Sequence, residues 1–337
     1  MAKKDLNIAV VGLGYWGPNL LRVFYNLKGV KVAKIFDKSR KNLNKYSKQY
    51  NIPGVSDYKK ILKDGSIDAV VIATPMETHY ELAKNALMAG KSVFVEKPMT
   101  LSYKEAVELN LLAKKHKKIL MVGHLLEYHP ALIKAKEYID QGKAGKVFYI
   151  YSTRVNLGKI RRTENALWSL APHDISAVLF LLKKHRPIEV SAYGADYLQK
   201  GIEDVVFVNI KFSNNVMVSI HVSWLDPHKI RKITIIGSEQ MIVFDDMEPK
   251  NKIKIFKGKN RVKFSNYADF LRLQYGTVTV PSIKMEEPLI KECSHFIHCL
   301  KTGKTPISDG KDGMQVTGIL EAAQKSLKSG GRKVKLP

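Results

Sequence analysis

The feature that most constrains this chain is a short apolar run ending in three glycines. Leu6-Asn7-Ile8-Ala9-Val10-Val11 leads directly into Gly12-Leu13-Gly14-Tyr15-Trp16-Gly17, and a stretch of helical character, Pro18 to Leu27, follows. A G-x-G-x-x-G spacing alone says little, but between a strand and a helix it predicts a dinucleotide-binding turn. Gly12 makes the tight turn, Gly14 offers no side chain to block a pyrophosphate, and Gly17 lets the helix pack close to the strand. The helix start then points free N–H groups at phosphate. Tyr15 and Trp16 belong to the same turn and are cofactor-binding candidates with it. A second apolar run, Lys31 to Phe36, ends at Asp37, about twenty residues past Gly17. A carboxylate there suits the two ribose hydroxyls of NAD and repels the extra phosphate of NADP. NAD is therefore the expected cofactor. The adjacent cations Lys38 and Arg40 leave NADP as the alternative.

With 337 residues the chain can form two domains and a sizeable core. No apolar run approaches the length of a membrane span. The N-terminus enters a core strand at once, so no signal peptide is expected. Cys293 and Cys299 are the only cysteines, which predicts no disulfide framework and a cytoplasmic protein. The net charge of +25 is mostly lysine spread over helix surfaces. Nucleic acid is one reading of such a charge, but no nucleic-acid motif accompanies it. A positive field also favours an anionic small substrate.

From residue 30 to 123, strand-like and helix-like segments alternate, the pattern of a doubly wound α/β sheet. Ligands in such sheets sit at the carboxyl ends of the strands. Here those ends are the Gly12 turn, Asp37, Thr74-Pro75, Glu96-Lys97-Pro98 and His124. Beyond about residue 126 a helix and a strand precede a helix over 167–184. Strand-like runs at 188–198, 204–213, 215–225 and 229–245 come next, with a fifth near 252–256. Asn214-Asn215 reads as a hairpin turn between two of them. The expected architecture is an N-terminal Rossmann domain, 1–125, and a C-terminal α+β domain, 126–337, with a large, mostly antiparallel open sheet.

Two further stretches suit chemistry. Glu96-Lys97-Pro98 lies at a strand end where a nicotinamide would be. Proline restrains the lysine before it, and that lysine can stabilise an alkoxide as hydride leaves. Trp168-Ser169-Leu170-Ala171-Pro172-His173-Asp174 opens a helix, with Pro172 suited to the first turn. A histidine at a helix start is disfavoured as a cation, which suits a base near neutral pH. Arg154, Arg161 and Arg162 flank Asn156, and arginine forks bind phosphate or carboxylate. Glu127 follows the sixth strand and can reach sugar hydroxyls or cap the next helix. The Cys293-x-His295-x-x-His298-Cys299 stretch cannot gather its side chains on one helix face, so no metal is expected.

In order and spacing, the glycine turn, Ala73-Thr74-Pro75 with Thr78 and His79, Glu96-Lys97-Pro98 and the His173 helix resemble the Gfo/Idh/MocA family of NAD(P)-dependent sugar oxidoreductases. The resemblance covers nearly the whole chain. It implies that Thr74, Pro75, Thr78, His79, Glu96 and Lys97 line the cofactor, that Lys97 and His173 are catalytic, and that the protein is a homodimer or homotetramer through its second-domain sheet. Many members carry aspartate four residues before the histidine; Ser169 stands there in this chain, so Lys97 can share or take the base role. Gly14 to Asn19, Asn156-Leu157-Gly158, Asn165-x-x-Trp168-Ser169 and Gly330-Gly331-Arg332 further resemble UDP-N-acetylglucosamine and UDP-N-acetylglucosaminuronate 3-dehydrogenases. That implies oxidation at C3 of an anionic nucleotide sugar held by Lys97, Glu127, Arg154, Asn156, Arg161, Asn165, Trp168, Ser169 and His173. Two alternatives stand: a dehydrogenase or reductase of a free sugar or polyol, and a dinucleotide-sensing regulator with a basic nucleic-acid-binding surface. The presence of both Lys97 and His173 argues against the regulator.

Overall fold

A computed structural model describes residues 5–158, 161, 163–258 and 275–336. Its contacts divide the chain into two units, Met1–Tyr128 with Glu286–Gly318, and His129–Met285 with Ile319–Pro337.

The first unit alternates β1 (Leu6–Val11), α1 (Gly17–Asn26), β2 (Val30–Phe36), α2 (Arg40–Tyr50), β3 (Gly54–Val55), α3 (Lys59–Leu62), β4 (Ala69–Ile72), α4 (His79–Met88), β5 (Ser92–Glu96), α5 (Tyr103–Lys115) and β6 (Leu120–Gly123). The strands are parallel, in the order β3-β2-β1-β4-β5-β6. Helices cover both faces, so the central strands are buried throughout and read as unbroken apolar runs. The order reverses between β1 and β4, and a crevice opens beyond the carboxyl ends of strands at such a reversal.

The second unit is built on α6 (Pro130–Asp140), β7 (Val147–Leu157), α7 (Ala166–Leu181), β8 (Pro187–Ala195), β9 (Val205–Phe212), β10 (Met217–Ser223), β11 (Leu225–Gly237), β12 (Gln240–Asp245), β13 (Ile253–Gly258) and β14 (Tyr275–Thr279). In β9, buried Val206, Val208, Ile210 and Phe212 alternate with exposed Phe207, Asn209 and Lys211. That period of two gives the sheet one core face, covered by α7, and one open face. Tyr149, Tyr151, Tyr193, Phe207 and Met217 stand exposed on the open face, and the Phe207 ring stacks on His221 with centroids 4.3 Å apart. Asn215, at φ 63°, makes the hairpin turn between β9 and β10.

The chain closes with α8 (Pro288–Thr302), α9 (Gly310–Lys328) and β15 (Val334–Lys335). The second sheet then runs β14-β13-β12-β11-β7-β10-β9-β8-β15, antiparallel except between β7 and β10. Two details differ from the sequence reading. The run 229–245 is two strands turned at Ser238-Glu239. In addition, residues 286–318 group with the first unit rather than with 126–337. The cause is apolar: Leu289, Cys293, Phe296 and Ile297 of α8 join the core of β1 and α1, where Phe24, Phe94 and Phe296 pack edge-to-face at 5.6–6.3 Å. The segment before α9 also fastens to β6, with Val122 N donating to Ser308 O at 2.9 Å and Ser308 Oγ to Val122 O at 2.8 Å.

Candidate active site

The glycine turn has the shape that its spacing predicts. Gly12 is at φ +95°, and a Cβ there would meet Ala73 O at 2.6 Å. A Cβ on Gly17 would collide with Gly12 O, whereas one on Gly14 would meet nothing within 4 Å. So two glycines close the turn against β4 and α1, and the third leaves an open floor. The first turn of α1 has no side-chain cap, and Tyr15 beside it is 86% exposed. At the end of β2, Asp37 ties the turn in place: Leu13 N donates to Oδ2 and Ser39 N to Oδ1, both at 2.6 Å. Lys38 and Arg40 are exposed beside it. An open floor over a helix start, with a carboxylate at the next strand end, fits a dinucleotide.

The loop after β4 carries Thr74, Pro75 and Thr78. The Thr78 hydroxyl lies 2.7 Å from Thr74 Oγ1 and 2.8 Å from Pro75 O. His79 is 1% exposed, and its two ring nitrogens face Pro98 O at 2.8 Å and Thr74 O at 2.9 Å. Burial holds its pKa below the ordinary imidazole value, and the two carbonyls oppose that. At the end of β5, Lys97 precedes Pro98 through a cis peptide bond. The buried Glu96 accepts from Lys97 N at 3.3 Å. Its carboxyl lies over Gly123, where a Cβ would approach Oε1 to 2.9 Å. Burial pushes Glu96 up to about 7, against the charge of Lys97, the Lys97 N–H, the Trp16 indole and His124.

Beside β5, β6 ends at His124. Its Nδ1 lies 2.5 Å from Asp312 Oδ2 of α9 and 3.3 Å from Glu127 Oε1. These are metal-type donors within 4.8 Å of one another. However, two ligands of one tetrahedral zinc stand about 3.3 Å apart, and the 2.5 Å contact is a charge-assisted hydrogen bond. Burial disfavours charge on His124, but Asp312 and Glu127 together outweigh it and push the imidazole up to about 10. Burial and the Asp312 charge keep Glu127 well above the carboxylate range, and burial does the same to Glu292 of α8. Among the described residues, His124 Nε2, Glu127 Oε1 and Glu292 Oε1 have no hydrogen-bond partner.

In the second unit, α7 starts at Ala166, one residue before the expected 167, which leaves no first turn at Pro172. Asn165 caps it, its Oδ1 accepting from Trp168 N at 3.1 Å. Pro172, His173 and Asp174 are therefore interior, and the helix-start argument for a neutral His173 falls away. A strong cap seven residues upstream outweighs a proline as the start signal. His173 is half-buried, and its own carbonyl accepts from Ser176 Oγ at 3.0 Å. Ser169, one turn before it, is buried with Oγ 3.4 Å from Glu164 Oε1, and Arg161 Nε pairs with the same carboxylate oxygen at 3.0 Å. Asn165 Nδ2 donates to Glu203 at 2.5 Å and to Gln324 at 2.9 Å, and Trp168 Nε1 donates to Gln324 at 3.1 Å.

Two assigned residues are engaged elsewhere. Arg154 is 6% exposed, its Nε 2.5 Å from Asp174 Oδ2, while Ser152 Oγ donates to Oδ1 at 2.6 Å. Glu127 is 1% exposed beside His124. Asn156 is half-buried on β7, and Arg162 lies outside the described residues. Sequence reasoning missed Asp312 and Glu292, which no local spacing links to His124.

Two family profiles match the chain: an oxidoreductase family with an NAD-binding Rossmann fold over residues 6–124, and a GFO/IDH/MocA C-terminal domain over 132–243. The scyllo-inositol 2-dehydrogenase (NAD(+)) of Bacillus subtilis is 27% identical over 97% of this chain and 95% of its own length. The 2,7-anhydro-N-acetylneuraminate hydratase of Mediterraneibacter gnavus is 29% identical over 63% of this chain, which spans 60% of that relative. Among solved structures, the UDP-N-acetylglucosamine 3-dehydrogenase GnnA from Acidithiobacillus ferrooxidans superposes with a TM-score of 0.81 at 20% identity, covering 97% of this chain and 99% of that one. GenD2 from gentamicin A biosynthesis, in complex with NAD, superposes with a TM-score of 0.83 at 22% identity, covering 100% and 98%.

Proposed function

This chain belongs to the Gfo/Idh/MocA family of NAD-binding oxidoreductases, and from that we propose that it oxidises a ring hydroxyl, at C3, of a UDP-N-acetylhexosamine or its uronic acid. The observation that carries the reading is Lys97, set at the end of β5 next to the strands that form the glycine cradle. Gly12, Gly14, Gly17 and Asp37 are the residues to hold NAD, with Thr74, Pro75, Thr78 and Glu96 on the strand ends beside them. NAD, when bound, takes up the hydride. Lys97 holds the reacting oxygen and stabilises its negative charge, and His173 accepts the hydroxyl proton. Asn165, Trp168, Asn156 and Arg161 are the second unit's groups for the substrate. The net charge of +25 favours an anionic one. The free cysteines Cys293 and Cys299, both buried, suit a reducing cytoplasm, and no described helix is long and apolar enough to cross a membrane.

A second reading has its own support. The inositol dehydrogenase that matches nearly the full chain favours a free polyol as substrate. Absorbance at NADH formation, screened over UDP-sugars and inositols, decides between them. Turnover of a UDP-sugar with a loss of at least about a hundredfold in kcat for Lys97→Ala supports the first; turnover of inositols alone removes it. The exposed aromatic face of the second sheet is proposed to pair with a second copy. Light scattering should then find a dimer or tetramer that Tyr151→Glu dissociates, and a monomeric wild type would end that idea.

A further inference from the structure

We propose that His79 is a positioning residue for Lys97: its imidazole links the end of β4 to the carbonyl of the residue after the lysine, and fixes where the lysine's loop stands. The inference rests on Lys97 acting as argued above. Lys97 is held from both sides. On its N-terminal side its own N–H donates to Glu96 Oε2 at 3.3 Å. On its C-terminal side the Pro98 carbonyl lies 2.8 Å from His79 Nδ1. The other ring nitrogen, Nε2, stands 2.9 Å from Thr74 O, at the strand end that borders the glycine turn. His79 itself opens α4 and is buried at 1% exposure, so the ring neither reaches solvent nor offers an edge to a cofactor.

Both partners are carbonyl oxygens, which only accept. A neutral imidazole has one N–H; on Nδ1 it donates to Pro98 O, the nearer of the two, while the Nε2 edge of the ring packs against the Thr74 carbonyl. Losing that N–H would leave the buried Pro98 carbonyl without its donor, which is costly. The ring thus fixes the loop after Lys97 against the end of β4. A shift of the lysine by about 1 Å is enough to cost about a hundredfold in rate.

Two substitutions separate the two sides of the ring. The side-chain nitrogen of asparagine can occupy the Nδ1 position and keep the tie to Pro98 O. That of glutamine can occupy the Nε2 position and keep only the tie to Thr74 O. His79→Gln should lower kcat at least about tenfold, with KM for the sugar and the Kd for NADH, read from nucleotide fluorescence, changed less than about threefold. His79→Asn should lose clearly less kcat than His79→Gln. Acetic anhydride labelling of Lys97, followed by mass spectrometry, should accelerate in His79→Gln and stay near wild type in His79→Asn, relative to the other lysines. Equal losses of kcat and equal labelling in the two variants, at matched thermal stability, would overturn the proposal. If the wild type oxidises no sugar, the proposed function fails, and the labelling comparison still decides whether His79 places Lys97.

Discussion

Each unit buries a set of charged side chains, and the two sets are finished differently. In the second, Asp174 takes Arg154 Nε on one oxygen and Ser152 Oγ with Arg154 Nη2 on the other, at 2.5, 2.6 and 3.3 Å. One cation meets one anion, and the hydroxyl fills a remaining site. In the first, His124 meets Asp312 and Glu127 while Glu292 stands near, and three buried polar atoms find no partner among the described residues. Here acids outnumber bases, and burial pushes two carboxyls well above the ordinary carboxylate range. The matched set braces a helix and a strand. The unmatched set lies beside the strand end that carries Lys97, with the His124 imidazole and the Glu127 and Glu292 carboxyls all pushed up from their ordinary values.

That contrast can be broken by measurement. Asp174→Ala should cost about 3–5 kcal/mol, because it strands a buried guanidinium; urea unfolding that finds less than about 1 kcal/mol would mean the pair is not bracing the unit. The pH dependence of stability is the next largest effect. His124 is pushed from the ordinary 6.5 up to about 10. Its contribution is therefore complete below about pH 6.5 and is lost as pH rises through about 10. Between those values the wild type should lose at least about 1 kcal/mol more than His124→Gln; parallel curves would show that the imidazole is not held as a cation. Glu127→Gln should be the mildest change, within about 1 kcal/mol at pH 7, since burial pushes this carboxyl toward its neutral form, which the amide resembles. A loss as large as that of Asp174→Ala would mean that Glu127 is ionised and that the two sets are alike.

Much of the shape of the candidate cofactor turn was legible in the linear order. The turn at Gly12, Gly14 and Gly17 and the place of Asp37 beside it were legible because steric demands on a turn are local. Glu96-Lys97-Pro98 is legible for the same reason, at the end of a strand marked by its own apolar run. Arg154 and Glu127 were not legible. Each sits within a few residues of plausible substrate groups, yet Arg154 pairs with Asp174 and Glu127 packs by His124, and burial, not spacing, decides that. The start of α7 was legible to within one residue, but Pro172 resembles an opening, first-turn residue, whereas the Asn165 cap puts Pro172 and His173 inside the helix.

The sequence by itself determined the alternation of strands and helices, the parallel sheet with its phosphate turn, the hairpins of the second sheet and the family. Those follow from side-chain periodicity and from glycine sterics over a few residues. Only the tertiary structure decided that α8 packs with α1 and β1, that Asp312 meets His124 from 188 positions away, and that both nitrogens of His79 face carbonyls. Such contacts depend on which buried surfaces meet when the chain folds back on itself, and no local pattern encodes a distance between residues so far apart.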